Sequence, residues 1–182
     1  MNSSYNNNIN FGDLLSTITC IKKPDTIVEI GILEGYSLSK FIENSTNDTI
    51  IDAYDIFDEF NGNHAVKQNV INQFHKHKNV NINYGDFYKV WKQYSDKSID
   101  ILHIDIANNG DVYEYMFQNY TNKLKDNGII IMEGGSYDRD NIEWMIKYNK
   151  PKIKPVLDRY KDTFNINTFG IIPSITIITK NE

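Results

Sequence analysis

The feature that most constrains this chain is a strict alternation of short β-branched runs with helix-length amphipathic segments, repeated five times. Thr26–Ile30, Thr49–Tyr54, Val80–Tyr84, Ile99–Ile104 and Gly128–Met132 read as strands. Between and after them, Gly35–Ile42, Ala65–His75, Tyr88–Tyr94, Val112–Leu124 and Arg139–Tyr148 read as helices. Strands that carry apolar residues at nearly every position are buried on both faces, which is the habit of parallel sheets. Each right-handed crossover needs a helix to return the chain to the sheet, so the alternation predicts helices on both faces of a parallel sheet.

The tail breaks the alternation. Phe164–Phe169 and Ser174–Thr179 are strand-like runs joined by Gly170-Ile-Ile-Pro173, too short for a crossover but suited to a hairpin. One of the two must run antiparallel to the rest. The prediction is an α/β, Rossmann-like, doubly wound, mostly parallel seven-stranded sheet with a C-terminal antiparallel strand. At the other end, Phe11, Leu14, Leu15 and Ile18 recur at helical spacing. Residues 1–22 are therefore expected to form a cover helix ahead of a core spanning 26–182. With 182 residues and an apolar fraction of 40%, the chain suits one packed domain.

Composition excludes several functions. A net charge of -5 provides no concentrated cationic field for a phosphate backbone, so nucleic acid is not expected as a partner. Cys20 is the only cysteine, which rules out an intrachain disulfide and any multi-cysteine zinc site, and it is expected to be a small buried hydrophobe. The polar start MNSSYNNNIN resembles no signal peptide, and no apolar run reaches membrane-spanning length. A soluble cytoplasmic protein without membrane contact is expected, with a homodimer as the assembly to look for.

In an open α/β sheet, ligands sit beyond the carboxyl ends of the strands, near the point where strand order reverses. Four strand tips carry suitable residues. The first is Glu29-Ile-Gly31-Ile-Leu-Glu-Gly35, a carboxylate followed by a glycine turn into a helix. Its spacing is not G-x-G-x-x-G, so a dinucleotide pyrophosphate is disfavoured. A plain tight turn would need the same glycines. The second is Asp55, ending a strand twenty residues past Gly35, where an acid can accept from ribose hydroxyls. The third is Tyr84-Gly-Asp86-Phe87, where Asp86 either accepts from an adenine amino group or caps the next helix.

The fourth pairs Asp105 with Glu133, at the ends of neighbouring strands and expected to face one cleft. Two such carboxylates suit Mg²⁺, Mn²⁺ or Ca²⁺, which would hold an acceptor hydroxyl and lower its pKa. Without metal, either can act as general base. His64, His75 and His77 are expected to be solvated and His103 to be a core histidine, while Asp111 reads as a helix cap.

These motifs resemble the class I S-adenosylmethionine-dependent methyltransferases over nearly the whole chain. Leu102-His-Ile-Asp105 and Leu124-Lys-Asp-Asn-Gly-Ile-Ile-Ile-Met-Glu133 are similar to the small-molecule and sugar O-methyltransferases related to macrocin O-methyltransferase. The resemblance implies that Glu29, Gly31 and Gly35 surround the cofactor's methionine part, Asp55 its ribose and Asp86 its adenine. It implies methyl transfer to a hydroxyl of a small molecule, such as a sugar or secondary metabolite. Metal-dependent relatives carry an acid where Asp105 stands, often Asp where Glu133 stands, and commonly Asn or Asp next. Here that next residue is Gly134, leaving Asp138, Asp140 or water to complete a shell. The competing readings are a nucleotide-dependent enzyme of another class and a non-catalytic partner protein with the same fold.

Overall fold

A computed structural model describes residue 5, residues 10–57, residue 63 and residues 65–181. His64 lies outside the described residues, as does most of the Asn-rich start. The first elements are α1 (Phe11–Lys22), β1 (Thr26–Ile30), α2 (Tyr36–Asn44), β2 (Ile50–Asp55), α3 (Lys67–Phe74) and β3 (Val80–Tyr84). There follow α4 (Phe87–Val90), β4 (Ile99–Ile104), α5 (Gly110–Asn119) and β5 (Leu124–Glu133). The chain ends with α6 (Glu143–Lys147), α7 (Lys154–Tyr160), β6 (Phe164–Gly170) and β7 (Ser174–Lys180).

The seven strands form one sheet in the order β3-β2-β1-β4-β5-β7-β6. The first five pair in parallel, and β7 inserts antiparallel between β5 and β6. The expected architecture is present, including the antiparallel strand. Order reverses between β1 and β4, so their carboxyl ends diverge into the crevice where a ligand can sit.

Side-chain alternation along β1 divides the core. Ile27 faces Leu15, Leu38, Phe41 and Phe74 on one side of the sheet, with Ile51, Ile101 and Ile131 beside it. Val28 and Ile30 belong to the other layer, with Leu102, Ile104, Ile130 and Met132 under Met116, Phe117, Val156 and Leu157. At the amino ends of the strands the Asp100 carboxylate accepts from the backbone N–H of Asp25 and Thr26 at 3.0 Å each and from Lys125 Nζ at 2.8 Å. It thereby ties the starts of β1, β4 and β5 together.

Local patterns misled in four places. Cys20 is exposed, because the buried stripe of α1 runs through Phe11, Leu15 and Thr19 and leaves its neighbour facing out. The single helix expected over Arg139–Tyr148 is a 3₁₀ turn at Arg139–Asn141 and the short α6, broken where Ile142 turns extended at φ -70° and ψ 157°. Helix α7 was not expected; its Pro155 lies in the first turn, where a missing N–H costs nothing. Finally, α5 ends at Asn119 because Leu124 already pairs with Ile99 as the first residue of β5.

Replacing Asp100 with Ala should lower unfolding stability by about 2–3 kcal/mol, the scale of charge-assisted hydrogen bonds lost from buried donors. Urea denaturation measures it, and a loss within error of zero would mean the strand starts are held by packing alone.

Candidate active site

The glycine turn after β1 exists because two strand tips nearly touch. Gly31 has φ +97°, and a Cβ there would lie 2.0 Å from the Asp105 carbonyl oxygen at the tip of β4. Gly35, at φ +79°, begins α2 where a Cβ would strike the Phe74 ring at 2.5 Å. The turn is held from below by Asp55. Its Oδ2 accepts from the N–H of Ile32 at 2.8 Å and of Leu33 at 3.1 Å, and its Oδ1 from Phe57 N–H at 2.7 Å and Asn63 Nδ2 at 2.8 Å. A carboxylate has about four acceptor positions, so these bonds occupy them all.

Above the turn lies a cavity of about 530 Å³ at the carboxyl ends of β1, β2, β3 and β4. Gly31 to Leu33, Asp55, Asp86, Phe87, Tyr88, Asp105, Asn109 and Lys150 are among the residues that line it. Four of the expected site residues, Gly31, Asp55, Asp86 and Asp105, therefore share one wall system. Asp86 also caps α4, accepting from Tyr88 N–H at 3.0 Å, which is the cap reading of this residue. The cap of α5 is Asn109 rather than Asp111: its side chain accepts from the Asp111 N–H at 2.9 Å.

Glu29 does not line the cavity but is fully buried beneath it. Its Oε1 accepts a short hydrogen bond from Ser37 Oγ and lies 3.2 Å from His103 Nδ1. His103 Nε2 lies 3.2 Å from the Tyr5 hydroxyl, and Tyr5 in turn bonds Asp105. His103 is thus a core histidine, as expected, but one wired into a polar chain from Ser37 to Asp105. Burial, reinforced by the nearby Glu133 and Glu29 charges, pushes the Asp105 carboxyl up to about 7 against the pull of His103 and Tyr5.

Glu133 departs from expectation. It was to share a cleft with Asp105, yet it is buried away from the cavity wall and paired with Arg139. Arg139 Nε donates to Oε1 at 2.6 Å and Nη2 donates to Oε2 at 2.7 Å, a bidentate pair. The Glu133 carbonyl accepts from Asn108 Nδ2 at 2.9 Å and from the Tyr113 hydroxyl at 3.1 Å. Desolvation pushes the Glu133 carboxyl above its ordinary value, and Arg139 pulls it back towards the ionised form.

A family model described as a methyltransferase domain matches residues 28–133. The chain belongs to the methyltransferase-domain family. Its fold is shared with a methyltransferase from Geobacter sulfurreducens (20% identity, 93% of this chain and 77% of the other, TM-score 0.65). It is also shared with the O-methyltransferase TomG of Streptomyces achromogenes, involved in tomaymycin synthesis and solved with SAM (14% identity, 94% and 79%, TM-score 0.70). A third is an O-methyltransferase from Bacillus cereus in complex with SAH (15% identity, 93% and 80%, TM-score 0.69). No curated protein matches the sequence significantly. The protein is a class I S-adenosylmethionine-dependent methyltransferase by family and fold.

The residues of this methyltransferase do not fit Mg²⁺. Each Glu133 oxygen faces an Arg139 donor, so a second cation there would meet the guanidinium charge, and Gly134 offers no side chain. Asp140, one candidate to complete a shell, accepts from Ile153 N–H at 2.7 Å and Lys154 N–H at 2.8 Å, while Asp138 is exposed. Among the described residues no group of three or more acidic, histidine or cysteine side chains converges. Sequence reasoning missed Arg139, Tyr5 and Lys150. For Arg139 there was a signal: it is one of two arginines in a chain that otherwise uses lysine.

The raised Asp105 pKa has a stability consequence. The folded state holds this proton more tightly than the unfolded chain, so ionisation destabilises the fold progressively as pH rises from about 4 to about 7. Asp105→Asn should therefore melt higher than the unaltered methyltransferase at pH 8, with the gap narrowing towards pH 4. A melting difference independent of pH would show that Asp105 titrates normally.

Proposed function

We propose that this enzyme methylates a hydroxyl of a small acceptor, with Asp105 as general base. The observation that carries the reading is the position of Asp105. Among the cavity's carboxylates it stands beside the Gly31 turn and has its proton affinity raised into the working pH range, whereas Asp55 is filled by protein donors. Cofactor methionine would lie along Gly31 to Gly35, which lets a ligand approach the backbone closely. Ribose would lie near Asp55, where it must displace the Asn63 amide or the Phe57 N–H to reach Oδ1. Adenine would lie near Asp86 and Phe87.

Held along Gly31 to Gly35, S-adenosylmethionine would supply its sulfonium methyl to the acceptor oxygen and depart as S-adenosylhomocysteine, while Asp105 takes the acceptor proton. Catalysis then comes mainly from positioning and from excluding water. A base with pKa near the operating pH combines a useful ionised fraction with useful proton affinity. The O-methyltransferases among the structural neighbours support oxygen as the acceptor atom.

Labelled methyl transfer from S-adenosylmethionine to a panel of sugar and phenolic hydroxyls tests this reading. Asp105→Asn should bind cofactor normally and lose a factor of about 10²–10⁴ in turnover, the usual contribution of a general base. Turnover by the unaltered enzyme should rise with pH through about 7, following ionisation of Asp105. Unimpaired turnover in Asp105→Asn would remove it from the chemistry.

A further inference from the structure

We propose that Arg139 is a built-in cation standing where a divalent metal would need to bind Glu133, so that methyl transfer in this enzyme proceeds without one. The inference deepens the reading of the cavity as a methyl-transfer site and concerns how its acceptor side is charged.

Two carboxylates stand at the tips of neighbouring strands, Asp105 just past β4 and Glu133 at the end of β5. One of them is already neutralised. The guanidinium fork of Arg139 meets the Glu133 carboxylate edge to edge, its Nη2 also approaches the Asn108 carbonyl at 3.4 Å, and its carbon lies 5.3 Å from the centre of the Trp144 ring. Arg139 and Glu133 are both more than nine-tenths buried. Breaking such a pair leaves an uncompensated charge in a low-dielectric site, which is far more costly than breaking a surface pair.

The approach of Arg139 is built from both sides. Ser136 Oγ accepts from the Arg139 N–H at 3.1 Å, and Asp140 fastens the far end of the 3₁₀ turn to the amides of Ile153 and Lys154. The second of these contacts occupies Asp140, one of the residues expected to complete a metal shell. Guanidinium stays charged at any physiological pH, so the position is permanently occupied by a positive group. Mg²⁺ keeps several waters and is held by one or two carboxylates, and of the two strand-tip carboxylates only Asp105 is without a guanidinium against it. The proton leaving an acceptor hydroxyl then goes to Asp105 without help from a Lewis acid.

The test is a titration of EDTA-dialysed enzyme with Mn²⁺, read from the electron paramagnetic resonance signal of the free ion. The unaltered enzyme should bind no Mn²⁺ below the millimolar range, and its turnover should be the same in EDTA as in Mg²⁺. Arg139→Asn releases Glu133 and should bind Mn²⁺ tighter than the unaltered enzyme by about tenfold or more, the scale on which ligand support tunes metal affinity. Adding Glu133→Gln should abolish that gain. Micromolar Mn²⁺ binding by the unaltered enzyme would overturn the proposal, as would a folded Arg139→Asn that gains no affinity. If Arg139→Asn does not fold, the titration of the unaltered enzyme decides alone. Parallel calorimetry with S-adenosylhomocysteine reports on the methyltransferase reading separately, because cofactor binding is expected to be indifferent to the metal.

Discussion

The site depends on the clasp between Asp55 and the turn that follows β1. Two backbone N–H groups, of Ile32 and Leu33, converge on one carboxylate oxygen, and the turn can lie that low only because Gly31 has no Cβ to meet the Asp105 carbonyl. The clasp fastens the tip of β2 to the turn after β1, backbone pairing lays the tip of β4 alongside, and the cavity lies above them. Asp55 is therefore a structural keystone of the binding wall before it is a ligand contact. The expectation drawn from spacing treated it as a free acceptor, because spacing shows where a residue stands and not which donors reach it first.

Below that wall the polar groups are arranged in two buried sets. One runs from Ser37 through Glu29, His103 and Tyr5 to Asp105; the other joins Glu133, Arg139 and Asn108. Low local dielectric strengthens both and makes any unpaired member costly. It also explains why Asp105 has its proton affinity raised while Glu133, near enough to contribute to that rise, is held by a cation. Two carboxylates at equivalent strand tips thus take opposite roles through their surroundings.

Much of this was legible in the sequence because the pattern is repeated and local. Strand runs such as Ile27–Ile30 and Ile101–Ile104 announce a sheet buried on both faces, and the short link between the last two strands announces the hairpin that makes β7 antiparallel. What could not be read was decided by partners distant in the chain. Arg139 reaches back to Glu133 and Asp140 reaches forward to Ile153, and together they break a segment whose periodicity is helical. The exposure of Cys20 is a smaller lesson of the same kind, since composition ranks a cysteine as buried while helix phase turns it outward. Tyr5 stands in an Asn-rich stretch that carries no pattern at all, yet its hydroxyl closes the polar chain beneath Asp105.

The central claim is that the cavity over the Gly31 turn is the cofactor site, and calorimetric titration with S-adenosylhomocysteine tests it most directly. The account requires one site per chain with micromolar affinity in the unaltered protein, and loss of that binding in Gly31→Val, which must push the turn off the tip of β4. Absence of binding by the unaltered protein, or undiminished affinity in a folded Gly31→Val, would contradict it.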